Sequence, residues 1–311
     1  MLEMIAAEWF KAFRKKRFWV LLILFAVIAP LIQLVTAGFI NSRVAGTVAE
    51  AVGSDNVAKA ISEIASPYSL VRNAVGGVLP LLLLPLAAIV GIFLVGEERT
   101  FKMWKTILVA NSDRMRVLGA KFITGMLILG AIILAGVLGG LFFGTLAIPL
   151  GLASSFAGNW GEFFVIAFLQ WVVLAAPLAL GFLISWLSAS PAIAVIGVVV
   201  LPALIEGIIT ASVVFQLNRI SALNAAFQAE RLRETIAAWQ RFFFTPNLNL
   251  GQRLIGQSLQ NAGLGDVVNT GDIIPVIEWD KIWWSVGVAS LYVLVFAAIM
   301  VWSFRTRDIH E

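Results

Sequence analysis

Apolar residues dominate six stretches of this chain, at 18–40, 74–96, 122–151, 163–187, 192–215 and 282–304. Each reaches the roughly 20 residues with which a helix crosses a ~30 Å hydrocarbon core. Lipid offers no water to backbone amides, so segments of this kind must be helical. Around them the pattern changes. Residues 2–16 set Ile5, Trp9, Ala12 and Phe13 at helical spacing among basic residues, which predicts a helix lying in the membrane interface ahead of the first span. In the loop at 41–73, Ser54 can cap a short helix whose apolar stripe is Val57, Ile61 and Ile64. In the long loop at 216–281, residues 219–243 predict an amphipathic helix with Leu232, Ile236, Trp239 and Phe243 on one face. The rest of that loop is rich in Gly, Asn and Pro and predicts irregular chain. The expected fold class is all-α: one polytopic membrane domain over residues 1–311 with six transmembrane helices.

Composition agrees. Hydrophobic residues make up 60% and charged residues 13% of the chain, against about 25% charged in an ordinary soluble domain. A net charge of +4 does not point to nucleic acid, because the basic residues flank the spans. Their distribution predicts orientation instead. Lys11, Arg14, Lys15, Lys16 and Arg17 precede the first span, and Arg99, Lys102, Lys105, Arg114, Arg116 and Lys121 lie between the second and third. Arg305 and Arg307 follow the last. Basic density is lower on the other side, so both termini and the second-to-third loop are expected in the cytoplasm. Trp19, Trp186 and Trp302 mark inner ends, and Trp160, Trp279, Trp283 and Trp284 outer ends.

Little classical chemistry is available. The chain has no cysteine and one histidine, His310, which excludes thiolate metal sites, cysteine nucleophiles and a His-dependent triad within one chain. The string Gly263–Leu264–Gly265–Asp266 matches the GxGD of intramembrane aspartyl proteases, but it lies in a polar loop with no second aspartate in a facing span. Glu206 is the one acidic residue deep in a span, four residues after Pro202. A carboxylate at that depth needs a partner or water. It could meet a cationic group of a substrate, pair with Arg72 or Arg219, or sit in a wet outer vestibule. Gln33 and Gln170 are polar positions in the first and fourth spans, suited to interhelical hydrogen bonds and, with Glu206, candidate lining of a substrate path. Gly136, Gly140 and Gly144, with Gly139 beside them, form a ridge for close helix approach within the chain or across a dimer. Pro30, Pro80, Pro85, Pro177 and Pro202 each remove a helical hydrogen bond within a span.

The loop at 96–121, GEERTFKMWKTILVANSDRMRVLGAK, is the most specific stretch. Phe101, Trp104, Ile107 and Leu108 form an apolar helical stripe among basic residues, and Ser112 can cap the helix entering the third span. Here the chain resembles the permease subunits of ABC-2 type exporters, the membrane halves of ATP-binding-cassette transporters. Their glutamate at the end of span two, Thr-containing amphipathic helix, Ser-x-Arg-like element and Gly-x-Lys correspond to Glu97 and Glu98, Thr100, Ser112 with Arg114, and Gly119 with Lys121. Asn111 stands where the family often has proline. The resemblance implies that separate cytoplasmic subunits bind ATP and Mg, and that this chain carries no cofactor of its own. It implies a second permease, as homo- or heterodimer, and assigns Glu97, Glu98, Thr100, Phe101, Trp104, Ile107, Leu108 and Arg114 to coupling with the ATPase. The chain itself lacks a GxxxxGK[ST] phosphate loop. The expected function is export of an amphiphile, such as a peptide antibiotic, drug or lipid, across a bacterial or archaeal cell membrane. The alternatives are a secondary transporter or channel working without an ATPase, a membrane-bound enzyme, and a non-transporting sensor or scaffold. The first would need midplane ionisable residues or inverted repeats.

Overall fold

The structure, a computed structural model, describes residues 1–36, 38–39, 66–76, 78–100, 114–153, 160–188, 190–219, 234–235, 238–239, 241–248, 250 and 279–306. All regular structure among them is helical. In chain order the elements are α1 (Leu2–Phe13), α2 (Lys16–Thr36), α3 (Pro67–Gly76), α4 (Val78–Thr100), α5 (Arg114–Ala147), α6 (Trp160–Leu187), α7 (Pro191–Arg219), α8 (Phe244–Asn247) and α9 (Trp279–Thr306). Five of these, α2, α5, α6, α7 and α9, are long and apolar enough to cross a bilayer, and within α4 the stretch Pro85–Gly96 is a shorter apolar helix. The chain is a multi-pass membrane protein. The short helix expected around Ser54, and nearly all of the one expected at 219–243, lie outside the described residues.

Prolines account for the departures from straight helix. Pro30 has no N–H to offer the carbonyl four residues back, that of Ala26. There α2 opens into a π-turn over Leu24–Ile28, and the Ala29 N–H reaches the Leu24 carbonyl. Pro177 likewise cannot bond Val173, and α6 is interrupted at Leu174 between Trp160–Val173 and Ala175–Leu187. Helix α3 begins inside what the hydropathy pattern assigns to loop. Its start is set locally: Ser66 Oγ accepts the Ser69 N–H at 3.1 Å, and Pro67 occupies the first helical position.

The chain divides into two compact units. The first comprises residues 1–83, 126–171 and 250–279. In it α1 and α2 meet through stacked Trp9, Phe13, Phe18 and Trp19, and the Trp19 indole donates to the Phe13 carbonyl at 3.0 Å. No residue of α1 is buried. Its central contact runs along α5: Gly139 abuts the Ala26 carbonyl, Gly140 the backbone of Leu70–Val71, and Gly144 the backbone of Pro67. The Trp171 indole donates to the Met126 carbonyl at 2.8 Å, tying α6 to α5. Tyr68 stacks edge-on against Trp160 and Phe163. Burial pushes the Tyr68 hydroxyl above the usual phenol range, opposed by Arg72 and reinforced by Glu162, so it stays protonated at neutral pH.

The second unit comprises residues 84–125, 172–249 and 280–311. Its core is the second half of α6, buried from Ala176 to Leu183. Gly181 packs on the Ala88 carbonyl of α4, and Gly91 of α4 packs on the Leu178 carbonyl in return. Two helix backbones therefore touch, as small residues allow in lipid. Ser185 Oγ donates to the Ile92 carbonyl at 3.3 Å, and the Trp186 indole donates to Ser303 Oγ at 3.2 Å on α9. By contrast only 12% of the apolar window of α7 is buried, leaving the ridge Ile196, Val200, Leu204 and Ile208 exposed.

Candidate functional site

The second unit holds a segment that behaves unlike a surface loop. Residues 241–248 hold only the single helical turn of α8, yet Phe243, Phe244, Asn247 and Leu248 are all buried. The segment lies far along its neighbours. The Phe244 ring packs against Tyr292 and Phe296, at centroid distances of 5.0 and 5.9 Å. Tyr292 is ten residues into α9 from Ile282, about 15 Å at 1.5 Å per residue. Glu206 is nine residues back along α7 from Phe215, about 14 Å. The segment therefore runs alongside two of the apolar helices.

Backbone packed against apolar helices needs hydrogen-bond partners. The segment finds them in side chains of the two flanking spans. Glu206 Oε1 accepts the Thr245 N–H at 2.8 Å. The Trp284 indole donates to the Arg241 carbonyl at 2.8 Å, and the Tyr292 hydroxyl to the Phe242 carbonyl at 2.9 Å. Asn247 organises the rest: its Nδ2 donates to the Arg241 and Phe243 carbonyls at 2.8 and 2.7 Å, and its Oδ1 accepts Ser285 Oγ–H at 2.9 Å. In the first unit, the buried Gln170 Oε1 accepts the Leu250 N–H at 2.8 Å, and Leu250 is fully buried.

Two of the three polar positions singled out in the sequence thus bond the backbone of the long loop. Gln33, the third, carries a buried Oε1 with no hydrogen-bond partner among the described residues. Of the glycine ridge, Gly140 and Gly144 lie against α3, and Gly136 is buried. The close contacts of Gly140 and Gly144 are within this chain. Glu97, Glu98 and Thr100 fall on the last turn of α4 and Arg114 opens α5, as backbone only. Phe101, Trp104, Ile107 and Leu108 lie outside the described residues. Sequence reasoning missed Asn247, Ser285 and Tyr292. The one available signal was the run of three phenylalanines at 242–244 ahead of Thr245–Pro246–Asn247–Leu248, too apolar for a water-exposed turn.

The chain is helical and multi-pass, with a segment tied to two of its apolar helices by polar side chains. Its sequence matches the family described as ABC-2 family transporter protein over residues 2–309, nearly the whole chain. The protein belongs to that family, whose members are membrane permeases. Such membership implies work with an ATP-binding-cassette ATPase. No curated protein and no solved structure matches the chain.

Proposed function

We propose that the chain is the permease subunit of an ABC exporter, moving an amphiphilic substrate with energy from separate ATPase subunits that bind ATP and Mg. Two permeases, identical or not, enclose the path, with both termini in the cytoplasm of a bacterial or archaeal cell. The observation that carries this reading is the family match over residues 2–309, in a chain whose length is taken up by apolar helices. The exposed ridge of α7 offers a face for lipid or for the second permease. The amphiphile class follows from the scarcity of charge in the spans, which does not suit an ion pathway.

Purification from native membrane in mild detergent tests the proposal. A stoichiometric ATPase should accompany the chain. Solute movement in vesicles holding the pure chain alone, without nucleotide, would overturn it and favour a secondary transporter. The coupling assignment makes a separate prediction. Replacing both Glu97→Lys and Glu98→Lys should lower substrate-stimulated ATP hydrolysis of the assembled complex by about threefold to thirtyfold, the range over which single-site changes move coupling energies. Stimulation equal to that of the unmodified complex would remove these residues from the coupling path.

A further inference from the structure

We infer that the turn joining α1 to α2 docks the headgroups of anionic phospholipids, through Arg14, Lys15, Lys16 and Arg17. The inference rests on the multi-pass fold and not on the exporter reading. Three observations lead to it. First, positive charge is gathered at this turn and not spread along α1. Lys11 Nζ pairs with the Glu8 carboxylate at 2.8 Å, so α1 neutralises its own middle. The next four charged residues are all basic, and after Glu8 the sequence holds no acid until Glu50. Lys16 and Arg17 also open α2, whose first turn contains no acidic residue and whose cap, Lys15, makes no side-chain bond to it. Cations at the positive end of a helix dipole are disfavoured, and an anion beside them is favoured. Second, the turn is exposed yet fixed. All four cations are exposed, while Phe18 beside them is buried. Its ring meets Trp9 and Phe13 at centroid distances of 5.9 and 5.1 Å, and the Arg14 guanidinium stands 4.5 Å from the centre of the Phe10 ring. The rings hold α1 against α2, so the cations are presented together. Third, apolar surface flanks the turn on both sides. Leu2, Phe10 and Phe13 of α1 and Trp19, Val20 and Ile23 of α2 are exposed, and α2 is long and apolar enough to cross a bilayer. Cations between two such surfaces lie where acyl chains meet headgroups. Each cation near an anionic membrane surface contributes about a fivefold gain in affinity. A soluble acidic protein seated on the turn would leave the flanking apolar residues in water, whereas a bilayer covers them.

Because the chain has no cysteine, a single introduced thiol carries a local reporter. Val20 is exposed one turn beyond Lys16, so Val20→Cys, labelled with bimane, reports on lipid at the turn. Val35→Cys, fifteen residues on and about 22 Å away along α2, is the matched control. The full chain is placed in phosphatidylcholine discs doped with spin-labelled phosphatidylglycerol or spin-labelled phosphatidylcholine, and quenching is compared. At Val20→Cys the anionic lipid should be preferred by about tenfold, the scale set by one or two engaged cations, and at Val35→Cys by less than about twofold. Joint replacement Arg14→Gln, Lys15→Gln, Lys16→Gln and Arg17→Gln should bring the Val20→Cys preference down to the control level. Arg14→Lys with Arg17→Lys, which keeps the charge, should retain it, and 1 M salt should lower it about threefold or more. Equal quenching by the two lipids at Val20→Cys overturns the inference, as does a preference that survives the four glutamine changes. Displacement of phosphatidylglycerol by millimolar soluble glycerol phosphate would assign the turn to free phosphate and overturn the lipid assignment. Loss of the preference when an ATPase subunit is bound would make the turn a protein contact, with the same consequence.

Discussion

Gly139→Ala and Gly181→Ala are each expected to abolish recovery of folded permease. At Gly139 a Cβ would overlap the carbonyl of Ala26, and at Gly181 the carbonyl of Ala88. Both obstacles are backbone, so no rotamer change relieves them. Relief requires two membrane helices to separate, and overpacking of a close-packed interior already costs about 1–3 kcal/mol or more where only side chains must give. The damage should be graded by what the new methyl meets. Gly91→Ala, 2.6 Å from the Leu178 carbonyl, should also be severe. Gly125→Ala meets the two methyls of Leu178, at 2.9 and 3.0 Å, and these can rotate. Gly207→Ala and Gly287→Ala meet nothing within 4 Å and should be tolerated. The monodisperse fraction in size-exclusion chromatography of detergent extracts, with the melting temperature of whatever folds, reads the series. Wild-type recovery of Gly139→Ala would mean that α2 and α5 do not touch as described.

The spans were legible because lipid imposes one rule on a long apolar stretch, and 192–215 and 282–304 fall inside α7 and α9. Boundaries were less so, since hydropathy marks where a segment is apolar and not where its hydrogen bonds stop. Helix α5 begins at Arg114, although its apolar stretch starts at Phe122, and the turn between them includes the fully buried Lys121. The start of α3 was readable and missed: Ser66 followed by Pro67 is a cap and first helical residue that the search for long apolar runs passed over. Proline positions marked the places where α2 and α6 deviate, but not the form each deviation takes. A π-turn and an interruption follow from the same missing N–H, and neighbouring packing selects between them.

The candidate site was half visible. Glu206 and Gln170 stand out because polar side chains in lipid need partners. Which partners could not be read, because they are backbone amides 39 and 80 residues away, and an amide has no letter in a sequence. Asn247 was hidden for the opposite reason. Beside Pro246 it reads as a turn former, a role that asparagine fills by bonding its own backbone. It does bond nearby carbonyls here, and it also reaches across to Ser285 on α9, which its own burial makes consequential.

That burial gives Asn247→Leu the second large expected effect. Asparagine at this position is almost fully buried and satisfies two carbonyls and one hydroxyl at once. The Arg241 carbonyl keeps the Trp284 indole after substitution, so its loss is partial. The Phe243 carbonyl, at the N-cap of α8, still accepts the first intrahelical N–H; the Ser285 hydroxyl loses its Asn247 partner, and an orphaned buried polar group costs about 1–3 kcal/mol. Destabilisation of about 1–3 kcal/mol is therefore expected for the second unit, read as a fall in melting temperature of the purified complex. Ser285→Ala alone should cost less, because it leaves Asn247 its two donated bonds. A double-mutant cycle separates network from packing. If the three groups act together, the pair Asn247→Leu with Ser285→Ala should be less damaging than the sum of the singles, since the leucine no longer leaves a hydroxyl stranded. Strict additivity would mean that Asn247 and Ser285 are not bonded in the membrane, and the segment would then need another anchor on α9.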